Sequence, residues 1–197
     1  MKTKIAILLI ALLSITTTIF AQEANNSHLE FMGLPITGNV NSFAAKLGAK
    51  GFDKLDASAG ENIIMLEGTF VNQNVVVLLV YSQKSNEIFR VGVLFEPYNS
   101  YEILKNSQIN LVELFSKKYG EPTESIREFK SPYNEGSTLV MLGFADEQCK
   151  SSDSWLLDNG AIQIQIKGVD SSSAMLMVIY EDTIGTQALV DESLNDI

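Results

Sequence analysis

The segment IIMLEGTFVNQNVVVLLVYSQKSNEIFRVGVLF, residues 63–95, holds three runs rich in β-branched and aromatic residues, a composition that suits a pleated, half-buried surface. The runs are Ile63 to Val71, Val75 to Tyr81 and Ile88 to Phe95. Asn72-Gln73-Asn74 separates the first two and Gln83-Lys84-Ser85-Asn86 the last two. These are lengths and residues of antiparallel hairpin turns, too short for a parallel crossover, so the segment predicts an antiparallel meander. In the middle run apolar residues occupy both faces, which predicts a central strand covered on both sides. In the third run Phe89, Val91, Val93 and Phe95 alternate with Arg90, Gly92 and Leu94.

Upstream, Leu29, Phe31 and Leu34 with Pro35 predict a short edge strand bending at Gly33. Val40, Phe43, Ala44 and Leu47 then recur at the spacing of one helical face. Asn39 is the natural N-cap, Lys46 and Lys50 suit the negative end of the helix dipole, and Gly51 supplies a left-handed stop. Phe52 is placed to fold back onto Leu47, the apolar contact of a Schellman ending.

Downstream, Pro97 ends the third strand, and Asn99 with Glu102 predicts a capping box opening a second helix. Its apolar face is Leu104, Gln108, Leu111, Val112, Phe115 and Tyr119, with a break expected near Asn106-Ser107 where polar Gln108 interrupts it. Gly120 and Pro122 stop it. Strands are predicted at Ile126 to Lys130, Thr138 to Phe144, Ser154 to Leu157, Ala161 to Lys167 and Ala174 to Tyr180. Asp158-Asn159-Gly160 predicts a type I′ hairpin, and Ser131 to Gly136 and Asp146 to Asp153 read as exposed loops. Past Asp182 both a short terminal helix and a frayed end fit the weak periodicity. The order helix then antiparallel strands, twice, predicts one α+β domain over residues 28–182, with pseudo-repeats about 28–96 and 97–182 and a tail at 183–197.

Residues 1–21 carry Lys2 and Lys4, an apolar core from Ile5 to Leu13 and small or polar residues up to Ala21. That core is shorter than the roughly 20 residues a membrane span needs, so the segment reads as a secretory signal cleaved between Ala21 and Gln22, followed by a flexible leader at 22–27. With Gln22 rather than cysteine at the cut, lipid anchoring is not expected, nor a membrane span after cleavage. Cleavage removes two lysines and no acid, taking the formal charge from −10 to −12. An acidic surface of this kind repels phosphate backbones, so nucleic acid is not an expected partner. The single cysteine, Cys149, permits no internal disulfide and reads as an inert thiol in a polar loop.

Chemistry-bearing patterns are sparse. His28, the one histidine, has no nucleophile-elbow partner and reads as a surface or strand-edge residue. Asp146 and Glu147 with Asp153 offer oxygens for calcium but lack the spacing of a calcium loop. Trp155 fits sheet packing better than ligand stacking. No dinucleotide, phosphate-loop or zinc spacing occurs, so no cofactor or metal is expected.

Phe31-x-Gly33-Leu34-Pro35-Ile36-x-Gly38, Phe43, Lys46-Leu47, Lys50-Gly51-Phe52, Lys118-Tyr119-Gly120-Glu121-Pro122 and Val178-Ile179-Tyr180-Glu181-Asp182 together resemble small exported proteins common in Bacteroidetes. The tandem helix-plus-sheet order resembles the β-lactamase inhibitor protein fold, which implies binding surfaces on a sheet. Asp182-Thr183-Ile184 is similar to the acidic-Thr-aliphatic site that these bacteria O-glycosylate; an ordinary strand end is the plainer reading of Thr183. Function is expected to be a non-catalytic binding module for a protein, peptide or glycan. The alternative is a carboxylate-based hydrolase, which the 24 acidic residues leave open.

Overall fold

The computed structural model describes residues 27–56 and 60–195; the expected signal segment, the expected cleavage site at Ala21/Gln22 and all but the last residue of the expected leader lie outside them. The elements in order are β1 (Glu30–Phe31), β2 (Leu34–Pro35), α1 (Val40–Gly48), β3 (Asp53–Lys54), β4 (Ile63–Phe70), β5 (Gln73–Tyr81), β6 (Ile88–Phe95), α2 (Tyr101–Tyr119), β7 (Glu124–Phe129), α3 (Val140–Ala145), β8 (Cys149–Leu157), β9 (Gly160–Asp170), β10 (Ser173–Asp182) and α4 (Thr183–Leu194). β1 and β2 form a small hairpin. The other eight strands form one antiparallel sheet in the order β3-β4-β5-β6-β10-β9-β8-β7, and the fold is α+β.

α1 is built by its local sequence. Asn39 Oδ1 accepts from the Asn41 amide at 3.0 Å, while Val40, Phe43 and Leu47 turn inward. At its end the Gly51 amide donates to Gly48 O at 3.0 Å and the Phe52 amide to Leu47 O at 3.2 Å, the paired bonds of a Schellman motif. Gly51 takes φ +92°, and Phe52 and Leu47 are both buried in the core.

The inner face of the sheet carries Val75, Val77 and Leu79 of β5, Val91, Val93 and Phe95 of β6, Leu176, Val178 and Tyr180 of β10, and Ile162, Ile164 and Ile166 of β9, all in one buried cluster with α1 and α2. Phe115 of α2 lies 5.7 Å from the Trp155 ring and 6.2 Å from that of Tyr180. The Trp155 indole donates to Gly120 O at 2.8 Å, so this side chain is core packing, as its sequence setting implies. Phe31 of the β1–β2 hairpin seals the end of this cluster against Phe70 and Tyr180, at ring distances of 5.5 and 5.2 Å.

Several local expectations are corrected. β5 is buried on its inner face only; Val76, Leu78 and Val80 point to a face that α1, α2 and α3 leave uncovered. The β4–β5 turn is Val71-Asn72, both at positive φ, because Gln73 and Asn74 remain in the ladder opposite Phe70 and Thr69. α2 starts after Ser100, not Asn99, with no side-chain cap bond, and runs unbroken through Asn106-Ser107 because Gln108 finds buried partners.

Residues 138–144 are not a strand. Val140, Met141 and Phe144 share one face of α3, and Gly168 lacks the Cβ that would sit 2.4 Å from the Ala145 amide, which lets α3 press onto β9. β8 starts at Cys149, so most of the expected Asp146–Asp153 loop is sheet. The β8–β9 hairpin forms at Asp158-Asn159 without a positive φ, so it is not type I′; Gly160 is needed instead because a Cβ there would lie 2.3 Å from Glu181 O. The tail forms α4.

A Cβ at Gly51 would meet nothing within 4 Å, so substitution costs backbone strain alone. Gly51→Val is expected to lower stability by about 1 kcal/mol or more, and Gly51→Asn, which tolerates the left-handed region, by less. Thermal unfolding of the two variants checks this; equal melting temperatures with the parent would refute it.

Candidate binding face

Side chains alternate along a strand, so registering the inner face also fixes the outer one. Across five neighbouring strands the register aligns Asp53, Glu67, Val76, Leu94 and Met177 in one outward row. The next row is Met65, Leu78, Gly92 and Ile179. Val76, Leu78, Val80, Leu94, Met175, Met177, Ile179 and Met65 are all half-buried, although the inward helices do not reach them. Toward β9 and β8 the outward residues become polar: Gln163, Gln165, Lys167 and Ser154. The row of adjoining apolar side chains therefore lies over β4–β6 and β10, while Leu156 of β8, 67 % exposed, stands apart from it.

At one end this surface deepens into a groove of about 590 Å³, with Met65, Val76, Leu94 and Met175 in its lining and Asp53, Glu67 and Glu96 among its walls. Among the described residues no Lys, Arg or His lines it. Asp53 and Glu67 are direct cross-strand partners and both exposed, a like-charge pairing that antiparallel sheets disfavour.

The other end of the outer face is closed by α4. Asp182, fully buried, caps that helix by accepting from the Gly185 amide at 2.7 Å, and it also accepts from the Leu29 amide at 2.7 Å and from His28 Nδ1 at 2.9 Å. His28 is thus part of a clasp joining the segment before β1 to α4, and half-buried rather than a free surface group. Arg90 pairs with Glu181 at 2.5 Å across β6 and β10, and Ser82 Oγ donates to Glu192 at 2.5 Å. Thr183 is the first residue of α4 and exposed; the acid before it in the sequence is the helix cap.

Beneath α2 lies a buried polar network. Asp153, 2 % exposed, receives both Nη2 contacts of Arg127 at 2.8 and 3.0 Å, Ser125 Oγ at 2.7 Å and Gln108 Nε2 at 2.8 Å. Gln108 Oε1 in turn accepts from Ser151 Oγ at 2.7 Å. Each buried partner is satisfied, so the network fastens edge strand β7 and helix α2 to β8. This arrangement also separates the acids considered for calcium. Asp153 is committed to Arg127, Glu147 takes Lys167 at 2.7 Å, and Asp146 accepts from the Tyr133 hydroxyl at 3.2 Å. Among the described residues no group of three or more ligating side chains converges.

Sequence reading missed both the outer groove and the Asp153 network. The apolar run in β5 was the available signal for the first, but a doubly apolar strand reads the same whether its second face is covered or open. For the second, buried Gln108 in an apolar stripe was the signal, and its partners sit over 40 positions away.

Gln108→Ala is expected to lower stability by about 2 kcal/mol, since it strands the Ser151 hydroxyl in the interior and takes from Asp153 Oδ2 one of its two donors, leaving Arg127; chemical denaturation measures it, and a change near zero would mean that water replaces the amide. Burial pushes the Cys149 thiol above its ordinary range, and its Sγ faces Tyr133 O at 3.2 Å. Alkylation by iodoacetamide at pH 8 is therefore expected to be much slower in the folded protein than in denaturant, and equal rates would overturn the buried placement. No family model, curated protein or solved structure matches this chain.

Proposed function

We propose that this chain is an exported, non-catalytic binding protein whose outer sheet face, over β4–β6 and β10, holds a partner. The observation that carries the reading is the row of half-buried apolar side chains there, left uncovered by the three inner helices. A solvated sheet face ordinarily alternates to polar residues, as Ser154, Gln163, Gln165 and Lys167 of the β8–β9 part do, with Leu156 the exception. Contiguous exposed apolar surface rimmed by charge marks interaction sites. Export rests on the N-terminal pattern of residues 1–21, and the resemblance to small exported Bacteroidetes proteins agrees with it. Each half holds a helix and four antiparallel strands, the second with α3 added between β7 and β8, and β6 and β10 meet at the centre, which supports reading the halves as a tandem repeat.

A carboxylate-based hydrolase has weaker support. A general acid needs a carboxyl held above its ordinary range. The carboxyl groups displaced here go the other way: Glu135 is pulled down by its hydrogen bond from Lys105, Glu147 by that from Lys167 and Asp170 by the Ser172 amide. Asp153 and Asp182, the buried acids, are each committed to several donors that hold structure together.

Two measurements test this reading. The mature protein recovered from the cell envelope is expected to begin at Gln22 by N-terminal sequencing; a start at Met1 would remove the export claim. Affinity capture from envelope extract should retain a partner with the parent protein and with Ile109→Arg, on the exposed side of α2, and lose it with Met177→Arg. Capture unaffected by Met177→Arg in a protein of unchanged circular dichroism would refute the outer face as the binding surface.

A further inference from the structure

Building on the outer-face reading, we infer that the groove between β3 and β10 takes a short cationic and apolar peptide segment: one or two aliphatic side chains on its floor, flanked by Lys or Arg. Three observations converge on this ligand class.

The first is the floor. Met65 and Met175 present flexible thioethers beside Val76 and Leu94, a surface that adapts to varied aliphatic shapes. The second is the charge of the walls. Asp53, Glu67 and Glu96 line the groove and among the described residues no basic one does, so a bound cation would find acids without a competing internal partner in that lining. Asp53 and Glu67 stand directly opposite each other on β3 and β4, and their repulsion is relieved when an ammonium or guanidinium lies between them. The third is size. A volume of about 590 Å³ matches the clefts that enclose small ligands or a few side chains, and is far too small for a folded domain to enter.

These features also set what the groove rejects. Anionic segments meet three carboxylates, and a hydrophilic cation would leave the apolar floor wet. The groove edge beside β4 offers little main-chain pairing, because β3 already occupies the Leu66 and Glu67 positions. Recognition therefore runs through side chains.

The test uses the full mature chain and three fluorescein-labelled peptide amides, Lys-Leu-Leu-Lys, Lys-Ser-Ser-Lys and Glu-Leu-Leu-Glu, followed by fluorescence anisotropy at low and high salt. Saturable binding is expected for the first peptide, with the other two weaker by about tenfold or more. The double variant Glu67→Gln/Glu96→Gln should weaken Lys-Leu-Leu-Lys by about tenfold, and added salt should weaken it further. Glu113→Gln, on the exposed side of α2, should leave it unchanged. Equal binding of Lys-Ser-Ser-Lys, or an equal loss in Glu113→Gln, would reduce the effect to net charge and overturn the proposal. Failure of Lys-Leu-Leu-Lys to bind while Met177→Arg still abolishes partner capture would refute the ligand class and leave the binding face standing; failure of both would refute both.

Discussion

The pairing of β6 with β10 is the constraint on which the rest of the molecule depends. Five residue pairs, from Leu94 with Met177 to Arg90 with Glu181, join two four-stranded halves into one sheet. Their inner members, Val91, Val93, Val178 and Tyr180, form the middle of the core, so α1 of the first half and α2 of the second must lie on the same side. Of their outer members, Leu94, Met177 and Ile179 are apolar too, and Arg90 with Glu181 closes the α4 end. One seam thus creates both the packed interior and the apolar strip on the opposite surface. Covering apolar surface contributes roughly 25 cal/mol per Å², so leaving such a strip to solvent forgoes stability in the isolated chain that a partner would restore.

How much of this was legible depended on how far each side chain reaches for its partner. α1 could be read to within a residue because Asn39, Gly51 and Phe52 act within one helical turn of their targets. The meander was equally plain, since the β4, β5 and β6 runs are separated by short turns. β8 was not, because Cys149-Lys-Ser-Ser-Asp-Ser looks like solvent-facing loop until Gln108 and Arg127 are brought to it from α2 and β7. α3 failed for a different reason: a six-residue apolar run fits strand or helix, and only the opening left by Gly168 on β9 decides for the helix. Of the candidate site, the composition of the β5 run was visible; its exposure was not, since no local feature states what packs against a strand. The Asp53–Glu67 pairing likewise exists only in the register of β3 on β4.

The Asp153 network and the Asp182 clasp do related work at opposite edges of the molecule. Each places one buried carboxylate where three separate donors meet, and each joins segments distant in the chain: β7, α2 and β8 in one case, the Leu29 region, β10 and α4 in the other. A buried carboxylate that loses its donors costs stability, so both joints hold their segments in one arrangement. That rigidity fixes the boundaries of the outer face. α4 is pinned at one end by its cap and near the other by Ser82 and Lys84 against Glu192, although none of its residues is buried. It therefore bounds the apolar strip through polar anchors and leaves the groove end free.

The two margins of the sheet argue for how a partner is held. A strand edge with free amides and carbonyls recruits another strand unless it is short or charged. β3 is two residues long, and β7 presents Glu124, Arg127 and Glu128. Both edges are thus poorly suited to strand addition, while the apolar surface lies inward of them, on β4–β6 and β10. Where the edges discourage main-chain pairing and the open face concentrates aliphatic and thioether groups beside acids, the proposed association would be directed onto the face and selected by side-chain chemistry. The same acids limit self-association, because a second copy would bring its own Asp53, Glu67 and Glu96 against these, at a formal charge of −10 per chain.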